Sequence, residues 1–342
     1  MNTLGLLKCG GAVVSLVIVS ACSSSTVAPS GAAFNATYVG RTLFVNGTPV
    51  TAARLNPLPR YAELVPDKSK SKNYDYIIND YGSYASIFDY PKSVQQTGTL
   101  NGAGGQGCTN VLYGYGKKII WNPGRNNYGI AEYRVPNKFV RGLSLDYSYT
   151  SSCAMNTSGD LAVGILLGND HGLGNYGRGG QVVIFKNAAG SGTVYNTPLA
   201  KEYFDGYDPS GNLFADGSDS SYNFGLVELP KGSSKFVSIK TSNAPQFPGS
   251  VQWDGTYLSV FDQYTGETYQ YTVSGTTATL KNTIQYTGSS DCAQTWIVKG
   301  LLYCGDAGND DGEVFKYPAG GSAIATFTGS FAFPLGVTAA KN

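Results

Sequence analysis

Apolar positions along this chain come in short alternating runs rich in β-branched and aromatic residues. Gly, Pro, Asn and Asp bound each run, which is the pattern of strands joined by tight turns. The same arrangement returns six times. A turn ending in Gly leads into an apolar strand and then an Asp or Asn. A loop and a second strand ending on a large apolar or aromatic residue follow. One copy runs from Asp208 to Asp216 and continues through Gly225-Leu226-Val227-Glu228-Leu229-Pro230. Another runs from Lys299 to Asp306 and continues through Glu313-Val314-Phe315-Lys316-Tyr317-Pro318. The copies end at Tyr90, Tyr133, Phe185, Leu229, Tyr271 and Tyr317, spaced by 43, 52, 44, 42 and 46 residues. The turn glycines Gly116, Gly159, Gly211, Gly255 and Gly300 are spaced by 43, 52, 44 and 45. Both series place one insertion in the Gly-rich stretch 168–180.

A unit of about 40–50 residues holds four strands and is the size of a propeller blade. Such a unit buries its apolar face only by stacking on its neighbours. The expected fold is therefore all-β: a six-bladed β-propeller of four-stranded antiparallel blades over residues 75–342. The first unit opens on Asp75-Tyr76-Ile77-Ile78-Asn79-Asp80, which reads as its second strand. The missing innermost strand is expected from the C-terminus. There Phe333-Pro334-Leu335-Gly336-Val337 copies Phe247-Pro248-Gly249-Ser250-Val251. Closing the ring in this way removes free sheet edges.

The Asp208–Asp216 phrase resembles the NHL-type repeat, and Leu302 to Asn309 is similar to its second-strand-and-turn segment. The resemblance covers roughly residues 75–340, with Asn122, Phe185 and Leu229 departing from the pattern. It implies a six-bladed propeller. Relatives of this kind include binding modules, lactonase-like metal hydrolases and a lyase, so the resemblance does not select an activity.

The N-terminus reads as a targeting segment. Gly11–Val19 is apolar but shorter than the about 20 residues a membrane span needs. Val19-Ser20-Ala21-Cys22 resembles a bacterial lipobox. Residues 1–21 are accordingly expected to be a lipoprotein signal peptide, with Cys22 lipidated. Residues 22–33, rich in Ser, Ala, Gly and Pro, are expected to be a flexible tether. The expected location is the cell envelope, at the outer membrane or cell surface, with the membrane engaged only through the lipid. Residues 34–74 form an N-terminal extension in which Arg41–Val50 reads as a hairpin turning at Asn46-Gly47.

With Cys9 in the signal and Cys22 lipidated, Cys108, Cys153, Cys292 and Cys304 remain. An even number in an exported protein points to disulfides. Cys292 and Cys304 flank one predicted hairpin and suit a cross-strand bond. Cys108 and Cys153 hold the same position in neighbouring units, and their pairing requires Cα atoms within ~7 Å. The chain without Lys8 carries 23 basic and 23 acidic residues, and charged residues make up 14% of the sequence. That balance argues against nucleic acid, whose binding depends on phosphate neutralisation. A surface of Ser, Thr, Asn, Gly and Tyr suits neutral polar ligands instead.

Candidate chemistry gathers at one mouth of the expected channel. Asp80, Asn122, Asp170, Asp216, Asp262 and Asp306 follow the equivalent strand in successive units. A ring of carboxylates would take a hard cation, with Ca2+ the natural occupant. The same residues also start turns by accepting backbone N–H bonds. The insertion adds His171, the only histidine of the chain, beside Asp170. Tyr113, Tyr115, Trp121, Tyr128 and Tyr207 either pack between blades or stack on sugar rings. No nucleophile motif or phosphate-binding loop is present. Scarce catalytic residue types favour a lipid-anchored binding module for an extracytoplasmic protein or glycan. Two alternatives stand beside it: a divalent-metal-dependent, lactonase-like hydrolase or lyase at the channel mouth, and an envelope assembly scaffold.

Overall fold

A computed structural model describes residues 73–79, 84–102, 106–117, 119–124, 129–145, 150–167 and 179–342. It also describes the backbone of three strands between residues 36 and 50. The chain divides into two compact units, 1–60 and 61–342. In the first, Ala36–Val39, Thr42–Val45 and Thr48–Val50 form an antiparallel meander. Val45 pairs with Thr48 across the predicted Asn46-Gly47 turn.

The second unit is built from small antiparallel sheets in a propeller-like arrangement. One sheet runs, edge to edge, through Lys138–Ser144, Gly129–Arg134, Ile119–Gly124 and Cys108–Thr109. Another runs through Thr150–Met155, Leu161–Ile165, Gln181–Phe185 and Thr193–Asn196. A third runs through Cys292–Val298, Leu301–Asp306, Asp311–Lys316 and Ala325–Phe327. The first repeat contributes Asn73–Asn79, Tyr84–Phe88 and Gln96–Asn101. As the sequence pattern predicts, its inner neighbour is the end of the chain: Pro334–Lys341 pairs antiparallel with Asn73–Asn79.

The fourth and fifth repeats depart from the expectation of separate units. The meander Lys201–Tyr207, Leu213–Ser218, Phe224–Leu229, Val237–Thr241 joins the meander Val251–Trp253, Leu258–Asp262, Glu267–Ser274, Thr277–Thr287 in one sheet. The cause is local. Their outermost strands pair in parallel, Lys240 with Thr277 and Thr241 with Ala278. The same outer strand pairs onward through Tyr286 and Gly321. These contacts satisfy edge groups that would otherwise template foreign strands.

The core lies between facing sheets. Tyr76, Ile78 and Leu100 pack with Ile120, Tyr133 and Val135. Ala162 and Val182 pack with Leu213, Ala215 and Val227, and Leu226 packs with Val260 and Tyr271. Phe261 and Tyr286 pack with Leu302 and Phe315. The large residue at the end of five of the six copies serves these seams, since Tyr133, Phe185, Leu229, Tyr271 and Tyr317 are buried, whereas Tyr90 is half-buried.

Four of the five turn glycines, Gly159, Gly211, Gly255 and Gly300, have φ between 87° and 105°, a region that disfavours side chains. Gly116 corrects the sequence reading. It lies in a two-residue strand that pairs in parallel with the last strand, Ala340 opposite Gly116. The chain between Cys108–Thr109 and Ile119–Gly124 makes a longer excursion instead of a tight turn.

Both disulfides are present, Cys108–Cys153 with Cα atoms 5.6 Å apart and Cys292–Cys304 at 5.7 Å. The first ties inner strands of two sheets and spans 45 residues. Replacing both Cys108 and Cys153 with Ser is expected to cost about 2–4 kcal/mol through the freed entropy of the unfolded chain. Urea midpoints of the variant and parent protein check this, and coincident midpoints would contradict it.

Candidate functional site

The repeated acidic position does not behave alike in each sheet. Asp262 and Asp306 are fully buried and surrounded by donors. The Asp262 carboxylate accepts the N–H groups of Gln246, Phe247, Tyr264 and Thr265. That of Asp306 accepts the N–H groups of Ser290, Asp291, Gly308 and Asn309, with the Ser290 hydroxyl and the Asn309 amide. Each thus ties its hairpin turn to the segment leading into an inner strand, the role that Asp takes at turns. Asp80, Asp170, His171 and Cys22 lie outside the described residues, as does Tyr128.

Asp216 breaks the symmetry. Its Oδ2 accepts the Gly249 N–H at 3.1 Å, while its Oδ1 is buried with no hydrogen bond. Opposite it, Lys201–Tyr207 carries two further buried acids, Glu202 and Asp205, on either side of a register shift. The Ser151 hydroxyl donates to Glu202 Oε2. The Ser152 hydroxyl donates to Asp205 Oδ2 at 3.3 Å and accepts the Asp205 N–H at 2.9 Å. Glu202 Oε1 and Asp205 Oδ1 are buried without partners. Glycine makes the pocket for Glu202. A Cβ on Gly164 would stand 2.3 Å from Glu202 Oε2, and one on Gly180 would stand 2.5 Å from Glu202 Cβ. The Gly-rich insertion connects the two strands that flank this acid.

Burial drives the electrostatics here, because removing a carboxylate from water disfavours its charged form. Burial and then the Asp205 charge push the Glu202 carboxyl well above its ordinary range. Burial pushes Asp205 up to about 8 against the lowering effect of its Ser152 and Glu202 hydrogen bonds. Asp216 is raised by burial too. Burial, joined at Glu202 by the Asp205 charge, thus shifts both carboxyls of the pair toward their protonated forms. The sequence reading passed over Glu202, Asp205, Ser151 and Ser152. The available signal was two acids inside the otherwise apolar and aromatic strand Lys201–Tyr207.

The opposite ends of these inner strands line an open cavity of about 440 Å³. Its walls are Asn110, Val111, Leu112, Tyr113, Asn156, Thr157, Pro209, Trp253 and Gly255. Part of the wall is the excursion Asn110–Tyr115, which crosses toward two other sheets. The Gln252 amide donates to Leu112 O, and the Trp296 indole donates to Gly114 O. Gly114 N–H donates to Ile297 O. Asp254 fixes the turn beside Trp253 by accepting the N–H groups of Thr256 and Tyr257. Its other oxygen accepts the hydroxyls of Ser259 and Tyr317. Gly255 leaves room for the Tyr113 ring, 3.5 Å from where a Cβ would stand. Of the aromatic residues singled out from sequence, Trp121 and Tyr207 are core. Tyr115 bonds the Tyr303 hydroxyl at 2.7 Å. Among the described ones, Tyr113 alone lines the cavity, joined there by Trp253.

No known family profile matches the chain, and no curated protein matches it. Solved structures do. The chain is similar to a structure of a nidogen/laminin complex at 11% identity and a TM-score of 0.57, covering 78% of this chain and 98% of that one. It is similar to a Bacteroides caccae protein of unknown function at 10% identity and 0.58, covering 80% and 100%. A functionally unknown protein from Desulfotomaculum acetoxidans DSM 771 matches at 12% and 0.51, covering 79% and 88%. At such identities the likeness is one of architecture, and together with the sheet arrangement it makes the fold a β-propeller.

Proposed function

We propose that this chain is a binding module, displayed at the cell envelope on a lipidated Cys22, that takes an extracytoplasmic glycan in the cavity beside Tyr113 and Trp253. The observation that carries the reading is the cavity's lining. Two aromatic rings stand among amide, hydroxyl and apolar groups, with no charged residue in the wall. Aromatic faces with neutral polar neighbours suit sugar rings, which present C–H faces and hydroxyl edges. The Asn110–Tyr115 excursion and the Asp254 turn fix the backbone beneath both rings, which lowers the ordering entropy lost on binding. One structural neighbour, seen in a nidogen/laminin complex, supports an interaction role for the fold. A six-bladed ring with NHL-like repeats is part of this proposal, supported by the six-fold sequence pattern and by the pairing of the last strand with the first repeat.

Calorimetric titration of residues 31–342 with neutral oligosaccharides of hexose and N-acetylhexosamine units tests the reading. Tyr113→Ala and Trp253→Ala are each expected to weaken binding at least about tenfold, near 1.4 kcal/mol. No heat with any neutral oligosaccharide, or equal affinity in both variants, would overturn it. Capture of an envelope protein whose binding both substitutions abolish would transfer the cavity to a protein ligand.

A further inference from the structure

Far from that cavity in the sequence, the hairpin joining Leu301–Asp306 to Asp311–Lys316 gathers three carboxylates. Asp306 stands directly opposite Asp311, and Glu313 opposite Cys304. Side chains alternate along a strand, so Asp311 and Glu313 emerge on the same face as Asp306. One carboxylate oxygen from each of the three lies within 4.8 Å of the others. Like charges directly opposite in a ladder are destabilising. The ion pairs Lys92–Asp89 and Arg141–Glu132 involve none of the three.

A second observation separates this trio from an ordinary acidic turn. Glu313 is 6% exposed and its Oε2 is buried with no hydrogen bond. Asp311 Oδ1 is likewise buried and unpartnered. Clustered carboxylates with buried, undonated oxygens are stabilised by a positive partner, either a cation or a proton. Both Asp306 oxygens are already taken up by bonds from Ser290, Asp291, Gly308 and Asn309, so Asp306 stands as a carboxylate beside the open oxygens of Asp311 and Glu313.

We propose that Asp311 and Glu313, beside the Asp306 carboxylate, hold a Ca2+ ion at this hairpin through their open oxygens. The donor set is oxygen only. Cys292 and Cys304 also lie beside Glu313, but their sulfurs are joined in a disulfide and offer no thiolate. Hard oxygen donors select Ca2+ or Mg2+ over Zn2+. Asp311 is partly exposed, which gives the ion a path and leaves places for water in a flexible coordination shell that Ca2+ tolerates better than Mg2+. The Asp306–Glu313 stretch does not have the spacing of a calcium-binding helical loop. The hairpin register achieves in space what that spacing does not achieve along the chain.

The test uses residues 31–342, stripped with EDTA and titrated with CaCl2 by calorimetry, with the thermal midpoint followed in parallel. The expected result is one site with an affinity in the range of extracellular modules, about 10⁻⁴–10⁻³ M, and a midpoint that rises and saturates with Ca2+. Asp311→Asn with Glu313→Gln should lose at least tenfold in affinity. Asp311→Asn alone, at the partly exposed hairpin end, should lose most of it if the double variant does not fold. Asp219→Asn, in the turn of another hairpin, should bind as the parent does. No heat and no midpoint shift with Ca2+ at about 10 mM, or equal affinity in the parent and Asp311→Asn, would overturn the site. Oligosaccharide affinity is read independently, so failure here leaves the cavity reading untouched.

Discussion

Ending the chain at Phe333 is expected to abolish cooperative folding of the 61–342 unit. The lost strand, Pro334–Lys341, is buried along all but its last residue. It supplies Leu335 and Val337 to the core and covers Tyr76, Ile77 and Ile78 of the strand beside it. Burying one large aliphatic side chain is worth about 1.5–3 kcal/mol. Two such side chains lost and two isoleucines uncovered come to roughly 6–12 kcal/mol, before the ladder hydrogen bonds are considered. Domains have about 5–15 kcal/mol in total. The Gln294 amide, which accepts the Val337 N–H at 2.9 Å and donates to Gly107 O at 2.9 Å, would lose one of its two partners. Circular dichroism on heating checks the expectation. A truncated chain that melts in one sharp transition near the parent's midpoint would show that the first repeat does not need this strand.

The second large effect concerns pH. Glu202 and Asp205 have folded-state pKa values above their unfolded ones, about 3.9–4.3 for model carboxyls. The folded protein therefore binds more protons than the unfolded chain between about pH 4 and 8. Where the native state holds the extra proton, stability falls as pH rises. The slope is about 1.4 kcal/mol per pH unit for each extra proton. The protein is expected to be more stable near pH 5 than near pH 8, with the Asp205 part of the loss complete once pH passes about 8. Asp75, raised by burial and then by Asp89, acts in the same direction. Glu202→Gln keeps an acceptor for Ser151 and a donor toward Asp205 while removing the charge. It should flatten the profile and raise stability at pH 8. Denaturant midpoints at several pH values provide the measurement. Rising stability from pH 5 to 8, or an unchanged profile in Glu202→Gln, would refute the assignment.

Much of the architecture is legible in the sequence because a repeat states its own period. The fixed spacing of Tyr133, Phe185, Leu229, Tyr271 and Tyr317 marks the seams between sheets, where large residues are required whatever the chain's function. The return of the last strand to the first repeat follows from the same logic: a repeat that begins on its second strand needs an innermost one. The parallel pairing of Lys240–Thr241 with Thr277–Ala278 is different. It joins outer edges through the polar Lys240, Thr241 and Thr277 and one small buried residue, Ala278, so no run of apolar residues announces it. The Asn110–Tyr115 excursion is hidden for a related reason. It is held by backbone groups of Leu112 and Gly114 meeting Gln252 and Trp296, and backbone bonding leaves no mark on residue type.

The sites follow the same division. The repeated Asp is visible, but what distinguishes Asp216 from Asp262 and Asp306 is which donors surround it. Those donors are backbone N–H groups of the turns and of the segments that lead into inner strands. Glu202 is seated by Gly164 and Gly180, residues that look like ordinary loop or strand glycines until the fold brings them against a carboxylate. The Asp306–Asp311–Glu313 trio depends on register, which a one-residue slip would destroy.

One further consequence follows from the register that pairs Lys341 with Asn73. The place where the chain enters the propeller and the place where it leaves are neighbours in one ladder. Two labels, one placed at residue 73 and one fused after residue 342, would therefore sit beside each other, and a distance-sensitive pair at these positions would report directly on whether the ring is closed.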